Sequence, residues 1–220
     1  MGTPHPQAYN PPMAALAELI SVDSITLSGL PMPLTIRLPV KLSDHALIEF
    51  SRSIRPYQVE RNANGELEIM SPNGVKSGSR EAYAMRILGN WADEHGGAVI
   101  SSQGGFTLAD GSVRMADASW ITDERWKVLN EQEHDGFASM SPNFLIEIRS
   151  QTDSRPKLQA KMEMWIANGA QLAWMIDPYA ATLTIYRPDT APETLERPDW
   201  VEATTVVPGF RLETSRLWAR

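Results

Sequence analysis

Three charged residues fall where the patterning of strands and helices would bury them. Glu147 interrupts the apolar run Asn143-Phe144-Leu145-Ile146-Glu147-Ile148-Arg149-Ser150, and an ionised carboxylate is rarely buried without a partner or a metal. Asp117 lies 30 residues earlier, where Val113, Met115, Asp117, Ser119 and Ile121 share a face by strand period. Lys161 lies 14 residues after Glu147, beside the helical stripe Leu158, Met162 and Trp165. Brought together, the three would make a small divalent-metal site with a cation beside it. Carboxylate oxygens suit Mg²⁺ or Mn²⁺. Such an ion neutralises a phosphate oxygen and acidifies a bound water, while an ammonium orients that water or offsets charge developing on phosphorus. That is a chemistry for cutting phosphodiesters. Each residue also has a plain structural explanation: a Glu147–Arg149 pair on a half-exposed strand face, Asp117 at a solvated strand edge, and Lys161 snorkelling to water.

The elements that must position these residues are legible in the pattern. Ser43–Ser53 reads as a short helix. Tyr57–Arg61 and Leu67–Met70 read as a hairpin around the turn signal Asn62-Ala63-Asn64-Gly65. The spacing of Ala82, Met85, Leu88 and Ala92, widened by Tyr83, Ile87 and Trp91, predicts a helix over 79–95, stopped by Gly96-Gly97. Strands are expected at 98–102, 105–108 and 113–121, the last two joined at Asp110-Gly111. A helix over Glu124–Gln132 would be anchored by Trp126. After the strand at 143–149, Asp153 or Ser154 would cap a helix running to about Asn168, with Pro156 in its first turn and Gly169 just past its end. Leu172–Ile176 and Thr182–Tyr186 form a further pair of strands. The segment from 143 to 176 is thus a β-α-β unit, right-handed if its strands are parallel.

Residues 1–39 hold 7 of the 16 prolines and read as an extended arm, with one or two helical turns at Ala14–Ile20. Residues 40–220 form the domain. The net charge of −7 argues against holding DNA by bulk charge, but residues 149–161 carry Arg149, Arg155, Lys157 and Lys161 against Asp153 alone, a local patch that suits a phosphate backbone. The absence of cysteine excludes disulfides, thiolate catalysis and Cys-ligated metals. There is no phosphate-binding glycine loop, no G-x-S-x-G and no H-E-x-x-H, and the four histidines lack ligand spacing. No apolar run is long enough to span a bilayer and no secretory signal is evident, so the expectation is a soluble, cytoplasmic protein without a membrane partner.

Five segments together resemble the Uma2 family of the PD-(D/E)XK restriction-endonuclease-like superfamily. They are Val59-Glu60-Arg-Asn-Ala-Asn-Gly-Glu-Leu-Glu-Ile-Met-Ser-Pro72, Gly105-Phe-Thr-Leu-Ala-Asp-Gly-Ser-Val-Arg-Met-Ala-Asp117-Ala-Ser-Trp120, Ser141-Pro-Asn-Phe-Leu-Ile-Glu147-Ile-Arg-Ser150, Leu158-Gln-Ala-Lys161-Met-Glu-Met-Trp-Ile-Ala-Asn-Gly-Ala170 and Trp174-Met-Ile-Asp-Pro178. The resemblance covers roughly residues 40–215. It implies an α/β fold, a restriction-endonuclease-like mixed β-sheet core flanked by helices, and a metal-dependent endonuclease. By resemblance Asp117 and Glu147 are catalytic metal ligands, Lys161 is the catalytic lysine displaced onto the following helix, and Glu60 is an accessory ligand. Two departures stand out: Ala116 replaces the proline before the aspartate, and Arg149 stands where the usual motif has lysine. Arginine does not readily exchange a proton but binds phosphate well, so Arg149 is assigned to substrate phosphate.

The leading expectation is a Mg²⁺- or Mn²⁺-dependent endonuclease acting on DNA, although these residues do not separate DNA from RNA. The alternative is a catalytically silent nuclease fold that binds nucleic acid or protein. A hydrolase of small phosphorylated substrates is a third, weaker reading. Cutting two strands favours two sites, which makes a homodimer an open option.

Overall fold

The computed structural model describes Leu30 and residues 32–218. The expected arm and its Ala14–Ile20 turns fall largely outside them, but Leu34–Ile36, at the arm's end, forms strand β1. Helix α1 (Asp44–Ser53) follows, its first turn capped by Ser43, whose hydroxyl accepts from the Ala46 amide at 3.2 Å. Strands β2 (Gln58–Arg61) and β3 (Leu67–Met70) are the expected hairpin. Gly65 occupies its turn at φ +83°, a conformation other residues adopt only with strain.

Helix α2 (Val75–His95) starts four residues earlier than its apolar spacing predicts. Its buried face is Arg80, Ala84, Leu88, Trp91 and Ala92, so Ala82 is a solvent residue and Ala84 a core one. Strand β4 (Ala98–Ser101) and the short strands β5 (Phe106–Thr107), β6 (Val113–Arg114) and β7 (Ala118–Ile121) come next. The single strand expected over 113–121 is therefore two strands in two different sheets. Strand β6 pairs with β2 and β5, whereas β7 pairs with β4 and β8 (Phe144–Ile148). The chain crosses between sheets over residues 115–117, and Asp117 stands at that crossing, not inside a strand.

The helix expected over 124–132 is two short pieces, α3 (Asp123–Lys127) and α4 (Glu131–His134), each capped at its N-terminus, by Thr122 and by an Asn130/Glu133 capping box. Trp126 is 43% exposed and lies against His134, so it is no core anchor. Helix α5 (Arg155–Ala167) and strand β9 (Leu172–Asp177) complete the β-α-β unit, with β8 and β9 parallel, Ser154 at the N-cap and Gly169 at φ +101°. Asp153 does not cap the helix; its carboxylate accepts from the Ser150 amide at 2.7 Å. Strand β10 (Thr182–Tyr186) is antiparallel to β9, and β11 (Glu193–Glu196) extends the sheet. Strands β12 (Trp200–Ala203) and β13 (Phe210–Glu213) form a separate hairpin, followed by α6 (Ser215–Trp218).

Beside the two-stranded β12–β13 sheet, two larger sheets result among the described residues, ordered β1-β3-β2-β6-β5 and β11-β10-β9-β8-β7-β4. The second carries the main core on both faces. One face packs Phe144, Ile146, Ile148, Trp120 and Trp174 against α2 and the β12–β13 hairpin. Phe144 meets Trp174 edge-on at 5.2 Å and Phe210 at 5.4 Å. The other face packs Leu145, Ala173 and Met175 against Leu158, Met162 and Trp165 of α5, the stripe the sequence predicts. Because β8 is buried along its whole length, the half-exposed Glu–Arg face does not exist.

Candidate active site

Lys161 reaches from α5 into the gap between the two sheets. Its ammonium lies 2.9 Å from Glu147 Oε1, 3.1 Å from Glu60 Oε1 and 2.8 Å from the Met115 carbonyl. An ammonium has three hydrogens, so all three are engaged, by β8, by β2 and by the crossing between β6 and β7. The snorkelling explanation of Lys161 is thereby set aside. Its pKa is raised: burial works against the charge, but Glu147 and Glu60 more than offset it.

Glu147 is 4% exposed. Its Oε1 also accepts from the indole N–H of Trp165 at 3.0 Å, one helical turn beyond Lys161. Asp117 is half-buried and its Oδ2 accepts from the Ile148 amide at 2.6 Å. The side chain thus takes the place of the backbone partner that β8 loses where β7 ends. Asp117 is raised well above the ordinary carboxylate range by burial and by the charges of Glu147 and Glu81, and Glu147 is also raised, mainly by burial. Glu147 Oε2 and Asp117 Oδ1 have no hydrogen-bond partner among the described residues.

Glu81, on α2, belongs to this cluster and was not singled out from the sequence. Burial and the neighbouring Glu147 charge push it to about 7, against hydrogen bonds from Ser102 and Asn73. The available signal was its position: Glu81, Ala84 and Leu88 follow one another at i, i+3 and i+7 on the buried face of α2.

Glu60 sits on the opposite side of Lys161 and is 3% exposed. Its Oε1 takes the Met115 amide at 2.9 Å as well as Lys161, and its Oε2 takes Arg114 at 2.8 Å. Arg114 is shared with Glu68. Despite burial, the Lys161 and Arg114 charges hold the Glu60 pKa below its usual value. Arg149 lies at the end of β8, with Nη1 3.2 Å from Asp177, Nε donating to the Asp153 carbonyl at 3.1 Å and the guanidinium 5.6 Å from the centre of the Tyr179 ring.

Asp117 at the crossing and Glu147 on β8 bring hard oxygens, with one oxygen of each unengaged, and their mutual repulsion is the kind a cation relieves. Among the described residues no three acidic or histidine side chains gather closely enough to hold one ion together. Two protein ligands suit Mg²⁺, which keeps several of its waters.

The fold is mixed α/β, with multi-strand mixed sheets flanked by helices and a parallel β-α-β unit. A structure described as a "putative nuclease belonging to DUF820", from Anabaena variabilis, shares it with a TM-score of 0.62 at 21% identity, covering 79% of this chain and 97% of that one. The Uma2 family, described as "Putative restriction endonuclease", matches residues 48–215. The chain belongs to that family, in agreement with its motifs. No curated protein matches the chain. No helix among the described residues is long and apolar enough to cross a membrane.

Proposed function

We propose that this protein is a metal-dependent endonuclease that hydrolyses phosphodiester bonds in DNA. The observation that carries the reading is the convergence of three elements: Asp117 and Glu147 each keep an oxygen without a protein partner, and Lys161 sits 2.9 Å from Glu147. Asp117 and Glu147 would hold Mg²⁺ or Mn²⁺. When bound, that ion would neutralise a phosphate oxygen and lower the pKa of a water. Lys161, with its hydrogens engaged, acts as a fixed positive charge that fixes Glu147 and offsets negative charge building on the phosphoryl group. Trp165 orients the same carboxylate from the buried side. Arg149, steadied by Asp177, is assigned to a substrate phosphate. Of the two roles that the sequence offers Lys161, orienting the attacking water or offsetting charge on phosphorus, its contacts to Glu147, Glu60 and Met115 favour the second.

The test is divalent-dependent cleavage of plasmid DNA by the wild type, Asp117→Ala and Lys161→Ala, with folding checked by circular dichroism. Each variant is expected to lose roughly 100-fold or more of the rate. Unchanged cleavage in folded variants contradicts the assignment. DNA retention with no product under any metal supports the silent binding module instead.

A further inference from the structure

Lys161 is only as useful as its aim. A lysine side chain is long and rich in rotamers, and α5 by itself fixes no more than the root of this one. The tip is held by acceptors on three separate elements, and two of the three depend on Glu60. Glu60 Oε1 accepts the Lys161 ammonium at 3.1 Å, and the same oxygen accepts the Met115 amide at 2.9 Å. The Met115 carbonyl is in turn the third acceptor for Lys161, at 2.8 Å. Glu60 therefore grips the lysine directly and also pins the crossing segment that grips it from the other side.

The contacts that make Glu60 a good anchor make it a poor ligand. Two donors occupy the two lone-pair directions of Oε1. Oε2 is paired with Arg114 at 2.8 Å. A divalent ion at Glu60 would sit against two cations, whereas one at the free oxygens of Asp117 and Glu147 would relieve repulsion.

We infer that Glu60 is a positioning residue for Lys161 and not a metal ligand, as the family resemblance alone would have it. The inference rests on the nuclease reading for its catalytic consequence, but its structural core does not. In cleavage assays Glu60→Gln lowers kcat by roughly 10–100-fold, the range for residues that orient a catalytic group, while KM for DNA changes by less than about threefold. A loss carried wholly by KM overturns the inference.

Two spectroscopic readouts stand apart from activity. In metal-free protein labelled with ¹⁵N-lysine, the Lys161 ammonium gives a protected cross-peak in the wild type that is broadened or lost in Glu60→Gln. An unchanged cross-peak overturns the positioning role. The second readout needs no variant and therefore survives a Glu60→Gln protein that fails to fold. On adding Mg²⁺ to wild type labelled with ¹³C at its carboxylates, the Asp117 and Glu147 signals move and Glu60 stays. Movement of Glu60 as large as that of Glu147 makes it a ligand and overturns the inference. Failure of the nuclease reading has a different signature: no carboxylate responds to Mg²⁺, while the ammonium cross-peak still depends on Glu60.

Discussion

Glu60 and Asp117 are two carboxylates that feel the same lysine, and their acidities are driven in opposite directions. Glu60 is lowered because Lys161 and Arg114 outweigh its burial, whereas Asp117 is raised because Glu147 and Glu81 add to its burial and Lys161 offsets little of it. One side of Lys161 is a finished ion network. The other gathers Asp117, Glu147 and Glu81, whose pKa values burial and mutual repulsion push up. Burial of charge is tolerated when the pairing is complete; where it is incomplete, the arrangement is a candidate for a functional site. The nuclease reading depends on this contrast more than on any single residue.

The contrast is broken most forcefully at the shared residue. Lys161→Met leaves Glu60 and Glu147 buried without their common partner and is expected to destabilise the metal-free protein by about 3–5 kcal/mol, read by urea unfolding. A neutral outcome would mean that the two sides are not coupled through the lysine. Asp117→Asn is expected to change stability with the opposite sign. Its amide oxygen still accepts from Ile148 while the cost of charging a buried carboxyl beside Glu147 and Glu81 disappears, so stability is expected to rise, and to rise more at high pH than at low. Loss of stability in that variant would show that Asp117 is structurally satisfied as it stands.

The smallest effect is in the pH dependence. Glu81 titrates at about 7 in the fold against an unperturbed value of 4.5. Between those values the native state binds more protons than the unfolded chain, so the stability contributed by Glu81 is present at low pH and lost as pH rises through about 7. A Glu81→Gln protein should therefore show a flatter dependence of Tm on pH between 5 and 8 than the wild type. An equal slope in both would remove Glu81 from the cluster.

Much of this site was readable because its residues break a pattern that their neighbours keep. Glu147 interrupts an apolar strand, and Lys161 flanks a stripe whose members Leu158, Met162 and Trp165 are all buried. The β-α-β unit and its stop at Gly169 follow from local chemistry that tertiary packing does not override, although the Ser154 side chain at the N-cap makes no capping hydrogen bond. What escaped was decided by long-range contact. The alternation from Val113 to Ile121 is the same whether one strand or two carry it, and only the pairing of β6 with β2 and of β7 with β8 separates the sheets. Glu81 was hidden because charged residues are common on long helices, and the face of α2 was placed around Ala82 instead of Ala84. The commitment of Glu60 could not be read at all: its partners Arg114, Met115 and Lys161 lie 54 to 101 residues away.

The most direct test of the central claim is a calorimetric titration of Mn²⁺ into the wild type and Asp117→Asn at pH 8. The account predicts saturable binding to the wild type, weakened roughly 10-fold or more in the variant. Absence of binding to the wild type, or equal binding to both proteins, would contradict it.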